Sequence, residues 1–394
     1  MQDKTVYWLI PAVVLFSFGI DIYIPFMYHI QHAFKLSDVQ IQLTLSIYLF
    51  ALAIGQISIG LISDYIGRIR TLRIAALVFI IASIACILAP SGKIFIAGRF
   101  FQGIGACGLR IGAYALVKDA FDAQKSASHL SFLFSAVGLS PMIAPLLGGA
   151  VGYLFGWRAI FVMLLIFGIL CFWFTWKLRI RPINNRIQIQ KPIVAIRHLF
   201  IHPKVWGYGL ISAVAISAMF SLISILSFVI QRQFALSEFY IYCTFVIFGC
   251  TMLISGRYSK WLIYRWGRHF VLKLSFSIVI LLLLIGYAAT ALGLMNILLF
   301  WGITAPILGW AVITNGCAIA LAGEVSPALT GLVIAVVGTI GYGVAAINAT
   351  LISWFGMHLI SYWQTISMFA LIAALIAILI GKKQQREYYV RPTH

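Results

Sequence analysis

AFKLSD at residues 33–38 returns as QFALSE at residues 233–238, an offset of 200 positions. The same offset lays Gln31 over Gln231, Thr44 over Thr244, Gly67-Arg68 over Gly267-Arg268, Val137-Gly138 over Val337-Gly338, and Phe155-Gly156 over Phe355-Gly356, without a gap. Turn and cap residues carry this register, and a chain that repeats its turns in order repeats its architecture.

What is repeated follows from composition. The 394 residues are 62% hydrophobic and 9% charged, with a mean hydropathy of +1.03, far from the usage of soluble domains. Apolar runs close to the roughly 20 residues that cross a bilayer as a helix recur at 7–28, 40–63, 72–89, 94–117, 129–154 and 159–177, then at 206–230, 241–263, 270–292, 296–321, 329–354 and 362–380. No stretch shows the ten-residue polar/apolar alternation of a lipid-facing barrel strand, so helices are the spanning structure that remains. The expectation is an all-α membrane protein of twelve transmembrane helices in two six-helix pseudo-repeats. Its units are 1–178 and 205–381, joined by a cytoplasmic linker at 179–204 that contains RIRPINNRIQIQKP and followed by a basic cytoplasmic tail at 382–394.

The first run has one lysine before it and no small-residue cleavage site, so it reads as a retained helix rather than a signal peptide. All six cysteines fall inside spans, which suggests apolar packing and neither a disulfide framework nor a metal site. The net charge of +19 would point to nucleic acid in a soluble protein. Its placement says otherwise. Apart from Arg99 and Arg110, only Lys35, Lys93, Arg158 and Arg232 of the 28 Lys and Arg leave the termini and the loops on the same side as them. That bias puts both termini in the cytoplasm and assigns the basic surface to topology and anionic lipid.

Three charges lie deep within spans, away from their inner ends. Asp21, in FSFGIDIYIPF at residues 16–26, sits where a carboxylate costs roughly 3 kcal/mol. Helical rise places it roughly 20 Å along the first span, at a depth similar to Arg99 in the fourth. Arg110 follows Arg99 by three turns and about 20°, so the two arginines share a stripe that is expected to line a central cavity rather than lipid. At the repeat-equivalent positions stand Ser221, Leu299 and Trp310, so the buried charges belong to the first repeat alone. A structural Asp21–Arg99 ion pair is one reading. The other is a proton switch: a carboxyl group can exchange a proton and arginine effectively cannot, and burial and a neighbouring cation act on the carboxyl in opposite directions. Gln102, one turn from Arg99, is placed to orient it. Ser221, Asn315 and Asn348 are further candidates for the cavity wall, with Ser217, Ser224 and Tyr342, although such residues also bridge helices. His29 reads as a solvated residue at the end of the first span.

GLISDYIGRIR, residues 60–70, resembles the signature loop between the second and third helices of the major facilitator superfamily, through Gly60, Asp64, Gly67 and Arg68. RFFQGIGACG, residues 99–108, resembles the fourth-helix motif of proton antiporters, and SPMIAPLLGG the fifth-helix motif of drug exporters through Pro145, Gly148 and Gly149. With IDIYIP around Asp21, the set is similar to the bicyclomycin and chloramphenicol resistance (Bcr/CflA) branch of drug:proton antiporters. The resemblance implies a major facilitator fold in a bacterial inner membrane, a monomer, and proton-coupled export of small amphipathic compounds. Asp21 and Arg99 would couple protons. Asp64 and Arg68 would join Asp119 in a gating charge cluster. Gly60 would permit close helix approach, Gly67 a tight turn, Gly148 and Gly149 bare helix faces, and Pro145 a kink.

Residues 9–20 hold no second acid, so recognition of cations by a carboxylate pair is not expected, and Arg110 invites an anion. An alternative substrate is therefore a carboxylate metabolite such as a polycarboxylate siderophore. A sensor or scaffold would need an appended domain. An enzyme would need a catalytic constellation, and ATP-driven pumping a P-loop; the sequence offers neither, and no cofactor is expected.

Overall fold

The computed structural model describes residues 3–178, 192–326 and 329–390. Its α-helices are α1 (Ile10–Asp21), α2 (Met27–Ala33), α3 (Asp38–Ile66), α4 (Arg68–Leu88), α5 (Gly92–Ala120), α6 (Ala123–Gly138), α7 (Ser140–Phe155), α8 (Trp157–Lys177), α9 (Pro192–Ile201), α10 (Pro203–Phe228), α11 (Phe239–Trp266), α12 (Arg268–Ala291), α13 (Ile297–Gly323), α14 (Thr330–Trp354) and α15 (Leu359–Val390). Among the described residues, 11 spans are long and apolar enough to cross a bilayer, and the bent pair α6 and α7 makes up to 12.

The 200-residue repeat is visible in the backbone. Lys35 and Ala235 adopt φ of 51° and 52°, Gly67 and Gly267 96° and 76°, Gly156 and Gly356 82° and 92°. Each pair turns the chain at the same place in its repeat. At Gly67 and Gly156 the left-handed conformation, which glycine adopts without a Cβ clash, reverses one span into the next. Ser37 then starts α3 with a capping box: its Oγ accepts from Gln40 N at 3.3 Å, and Gln40 Oε1 accepts from Ser37 N at 3.0 Å.

Two spans depart from the continuous helices expected. The first breaks after Asp21 and resumes through a 3-10 turn at Ile24–Phe26 into α2. Pro25 is the physical reason, because it lacks the N–H that would bond the carbonyl of residue 21 and its ring crowds that carbonyl. The fifth span breaks at Leu139, six residues before the kink expected at Pro145, and α6 and α7 meet at 42°. Pro141 opens α7 and cannot donate to the Val137 carbonyl, which accepts from the Leu139 N–H instead. Pro145 is accommodated inside α7.

The first span and α10 are buried along most of their lengths, whereas α11 is largely exposed. Beyond Lys204 in its first turn, α10 carries no charge and is apolar or hydroxyl-bearing on every face, as a central helix must be. The repeats meet through α3 on α14, α7 on α11, and α10 on the broken segment between α1 and α2. Of the expected linker, 179–191 lies outside the described residues, and the remainder forms α9, which packs on α10 and α14 with Leu199 buried. The backbone of α15 continues through the expected tail to Val390, while the basic side chains from Lys382 to Arg391 lie outside the described residues. Cys86, Cys107, Cys171 and Cys317 are buried, Cys243 is partly so, and Cys250 is exposed rather than packed.

Candidate functional site

Asp21 lies where the two broken spans touch. Its carboxylate ends α1, and the Ser140 hydroxyl, which begins α7, donates to Oδ2 at a long 3.5 Å. Asp21 is 2% exposed, and Oδ1 has no hydrogen-bond partner. The ion pair with Arg99 is not formed in this conformation. Glycine explains how the helices come so close: a Cβ on Gly148 would run into the Ile22 carbonyl, and one on Gly152 into the Phe26 ring. Gly149 faces outward from the repeat, against the Tyr242 ring of α11.

Arg99 has other partners. Its Nη2 donates to the Gly19 carbonyl in the last turn of α1 at 2.6 Å, and its Nη1 donates to Gln102 Oε1. The guanidinium lies 4.4 Å from the Tyr23 ring centroid and 4.5 Å from that of Tyr48, within cation–π range. Tyr23 is held by Thr44 at 3.0 Å, and Tyr48 OH donates to the Phe16 carbonyl at 3.2 Å. Arg99 is wholly buried, so it does not line an open cavity. Two hydrogen bonds and three aromatic rings within the first repeat, the third being Phe161 at 5.9 Å, enclose it. Gln102 is engaged at both ends, since its Nε2 also donates to Ser83 Oγ at 2.9 Å. It is wholly buried among these partners.

Arg110 occupies the same stripe and also faces α1, with its guanidinium 3.7 Å from the Phe16 ring centroid. It reaches the second repeat by donating to Tyr342 OH at 3.3 Å. It is half-buried, its Nε has no partner, and no described carboxylate forms an ion pair with it. The other candidates for the cavity wall bridge helices, except Ser217, whose buried Oγ has no hydrogen-bond partner. Asn348 Nδ2 donates to Ser221 Oγ at 2.7 Å with both residues buried, and Ser212 Oγ donates to Asn315 Oδ1 at 2.6 Å. Ser224 accepts from Gln42 Nε2 of α3 at 2.8 Å, across the repeats.

Arg68 joins α3, α4 and α5 at the end of the bundle that carries the basic loops. It pairs with Asp64 at 2.5 Å and Asp119 at 2.8 Å, and its Nη1 donates to Ser63 Oγ at 3.1 Å. Gly67 makes the expected tight turn beside it. The close approach expected at Gly60 is not made in this conformation, because a Cβ there would meet nothing within 4 Å. The second repeat has its own pair at the equivalent end, Arg268 with Glu324.

Sequence reasoning missed Ser140, Tyr23, Tyr48 and Gln42. Ser140-Pro141 did carry a signal, because a serine before a proline marks a helix start rather than an interior. The tyrosines carried none, since aromatic residues are common throughout these spans.

Comparison with known proteins agrees with this geometry. A family model described as Major Facilitator Superfamily matches residues 9–349. Over 158 residues the chain is 34% identical to multidrug resistance protein MdtL of Salmonella typhimurium, and 33% identical to that of Salmonella paratyphi A, each match covering 40% of this chain and 40% of the relative. A bacterial homologue of the human lysosomal transporter Spinster, in an inward-facing and occupied conformation, superposes with a TM-score of 0.71 at 19% identity over 96% of both chains. A D-xylose-proton symporter does so with 0.72 at 16% identity, over 95% of this chain and 97% of that one. With up to twelve spans among the described residues, the loop cluster of Arg68, and a family match across both halves, the chain belongs to the Major Facilitator Superfamily.

Proposed function

We propose that this protein is a proton-coupled exporter of small amphipathic compounds that works by alternating access, within the bicyclomycin and chloramphenicol resistance branch of the superfamily. The superfamily assignment makes it a transporter rather than an enzyme. The relatives named for multidrug resistance support drug efflux, and the motifs around Asp21, Arg99 and Gly148 support the branch.

One observation carries the coupling. Asp21 is buried at the meeting point of two helix breaks with a single weak partner and no cation. A carboxyl group so placed can hold a proton while buried and release it when hydrated. Intramembrane acids commonly act in proton relays. The breaks at Pro25 and Pro141 supply joints beside it. The unit boundaries 1–178, 179–204, 205–381 and 382–394, the inner membrane, the cytoplasmic termini and the monomeric state belong to the same reading, the orientation resting on the basic loops. With those loops inside, the cross-repeat bonds at Arg232, Gln42 and Ser227 gather toward the outer face, which corresponds to an inward-facing conformation.

Proteoliposomes with an imposed pH gradient, supplied with neutral, cationic and carboxylated probes, test the reading. Proton movement opposite to substrate movement is expected, and Asp21→Asn should abolish accumulation while keeping downhill exchange. Full accumulation by Asp21→Asn overturns the coupling role.

Arg110 favours a second reading. A half-buried guanidinium without a carboxylate partner, facing the second repeat, suits a carboxylate substrate, such as a polycarboxylate siderophore.

A further inference from the structure

The repeated segment that opened the sequence has a structural consequence at the end of the bundle formed by the turns 34–37 and 234–238. In the first repeat Gln31 Nε2 donates to Asp38 Oδ1 at 2.6 Å, and in the second Gln231 Nε2 donates to Glu238 Oε1 at 3.3 Å. These are the same glutamine–acid unit, 200 residues apart. Each is completed by a base from the opposite repeat. Arg232 Nη1 donates to both Asp38 oxygens at 3.1 and 3.0 Å, and its Nη2 donates to Gln31 Oε1 at 2.9 Å. His29 Nε2 lies 3.6 Å from Glu238 Oε1.

The bases are not repeat-related. Arg232 corresponds to His32, which is turned to the Tyr28 carbonyl, and His29 corresponds to Val229. Arg232 stands in a π-helical turn, Val229–Gln233, that Gln233 Oε1 anchors to the Leu359 N–H at 3.2 Å. Its guanidinium also lies 5.0 Å from the Phe228 ring centroid and 5.6 Å from that of Tyr28. Beneath the two units a second tier crosses the repeats: Ser227 Oγ donates to the Ile24 carbonyl, and Gln42 Nε2 donates to Ser224 Oγ, each at 2.8 Å.

We propose that these units are two crossed clasps that hold this end of the transporter shut, one permanent at Arg232 and one sensitive to pH at His29. Arginine keeps its charge at every physiological pH. Histidine changes charge between about pH 5 and 8, a window in which a glutamate carboxylate is ionised. The charged and titratable groups around His29 are Glu238 in front of it, Tyr28 beside it, Tyr242 near Glu238 and, on the same end, His32, Lys35, Asp38 and Arg232, with Asp38 already held by Arg232. Lowering the pH therefore strengthens the His29–Glu238 clasp and favours the closed end; raising it leaves the Arg232 clasp alone. Neither Arg232 nor His29 touches the Asp21 unit, so the clasps set which state the transporter rests in and not how it couples protons.

The proposal rests on the alternating-access reading and is tested by distance rather than flux. Spin labels at Lys35→Cys and Phe239→Cys, with Cys243 and Cys250 changed to serine, report the opening of this end by pulsed electron resonance, in otherwise native protein and in Asp21→Asn. In the Asp21→Asn background, raising the pH from about 5.5 to about 8 is expected to increase the open population about threefold, the size of one exposed ion pair. His29→Gln and Glu238→Gln should each abolish that response, and His29→Arg should keep the end closed at both pH values. Arg232→Gln should raise the open population about tenfold at both pH values, as joint loss of the Asp38 ion pair and the charge-assisted bond to Gln31 implies. Distances unmoved by Arg232→Gln, or a pH response that survives His29→Gln in the Asp21→Asn background, overturn the proposal. Failure of proton exchange with these distance shifts intact would overturn the coupling reading instead.

Discussion

The Ser140 hydroxyl at the start of α7 reaches the Asp21 carboxylate at the end of α1 across 3.5 Å. Both residues owe their positions to a proline, Pro25 after Asp21 and Pro141 after Ser140, each of which ends the regular helix beside it. The contact thus joins two joints, and a change in Asp21 protonation acts on both.

Ser140→Ala removes the hydrogen bond without altering the helix start. Proton-driven transport should fall by about fivefold, the rate equivalent of about 1 kcal/mol, and its pH profile should shift, while Ser140→Thr keeps both near the native values. Initial rates measured across the pH range decide the matter. Superimposable profiles for Ser140→Ala and native protein would remove Ser140 from the coupling unit.

The glycines of the superfamily motifs separate by what surrounds them. Gly148→Ala drives a methyl group into the Ile22 backbone, which cannot swing aside, and should cost roughly 1–3 kcal/mol of stability with loss of transport. Gly149→Ala meets the Tyr242 ring, a side chain able to move, and should be milder. Gly60→Ala meets nothing within 4 Å and should leave thermal stability unchanged. Thermal unfolding of the three purified variants gives the order directly, and a Gly148→Ala protein as stable as Gly60→Ala would contradict it.

Removing Arg99 leaves the Gly19 carbonyl and Gln102 Oε1 buried without their donor. Arg99→Leu is expected to lose about 3 kcal/mol, two charge-assisted hydrogen bonds being involved. Arg99→Lys should fall between, because an ammonium cannot reproduce the planar fork. An unchanged unfolding midpoint for Arg99→Leu would show that the enclosure around this residue is not structural.

Arg110 discriminates between the two substrate readings. If the protein exports neutral amphipathic compounds, Arg110→Gln should change their transport by less than about twofold, because such a substrate offers the guanidinium no charge to pair with and a glutamine keeps a donor for Tyr342. If the substrate is a carboxylate, the same variant should lose transport of carboxylated probes by about tenfold or more, as expected for a charge-assisted contact. Flux of matched neutral and carboxylated probes in one vesicle preparation separates the outcomes.

Much of the fold was legible because its causes are local. Pro25 and Pro141 stood in the sequence, yet the breaks they make were not read, since an apolar run long enough to span outweighs a single proline in any count of hydropathy. The Arg68 cluster could be anticipated because Asp64 is four residues away across the Gly67 turn and Asp119 ends the helix packed beside it. Gln102 could be placed beside Arg99 by the same short spacing. The serine and asparagine candidates could not be sorted, because whether such a side chain bridges helices or faces a cavity depends on which helix lies opposite.

Apolar run length, the charge bias of the loops, the 200-residue register and the residues that permit left-handed turns are properties of the chain, and they determined a twelve-span bundle in two repeats without reference to any contact. Tertiary structure alone decided that Arg99 binds the Gly19 carbonyl and leaves Asp21 to Ser140, and that Gln31 and Gln231 each meet a base from the other repeat. The physical reason is that hydrogen bonds act over about 3 Å, a separation fixed by how closely bare glycine faces allow neighbouring helices to approach, whereas residues equal in depth along their helices can differ by several times that distance across the bundle.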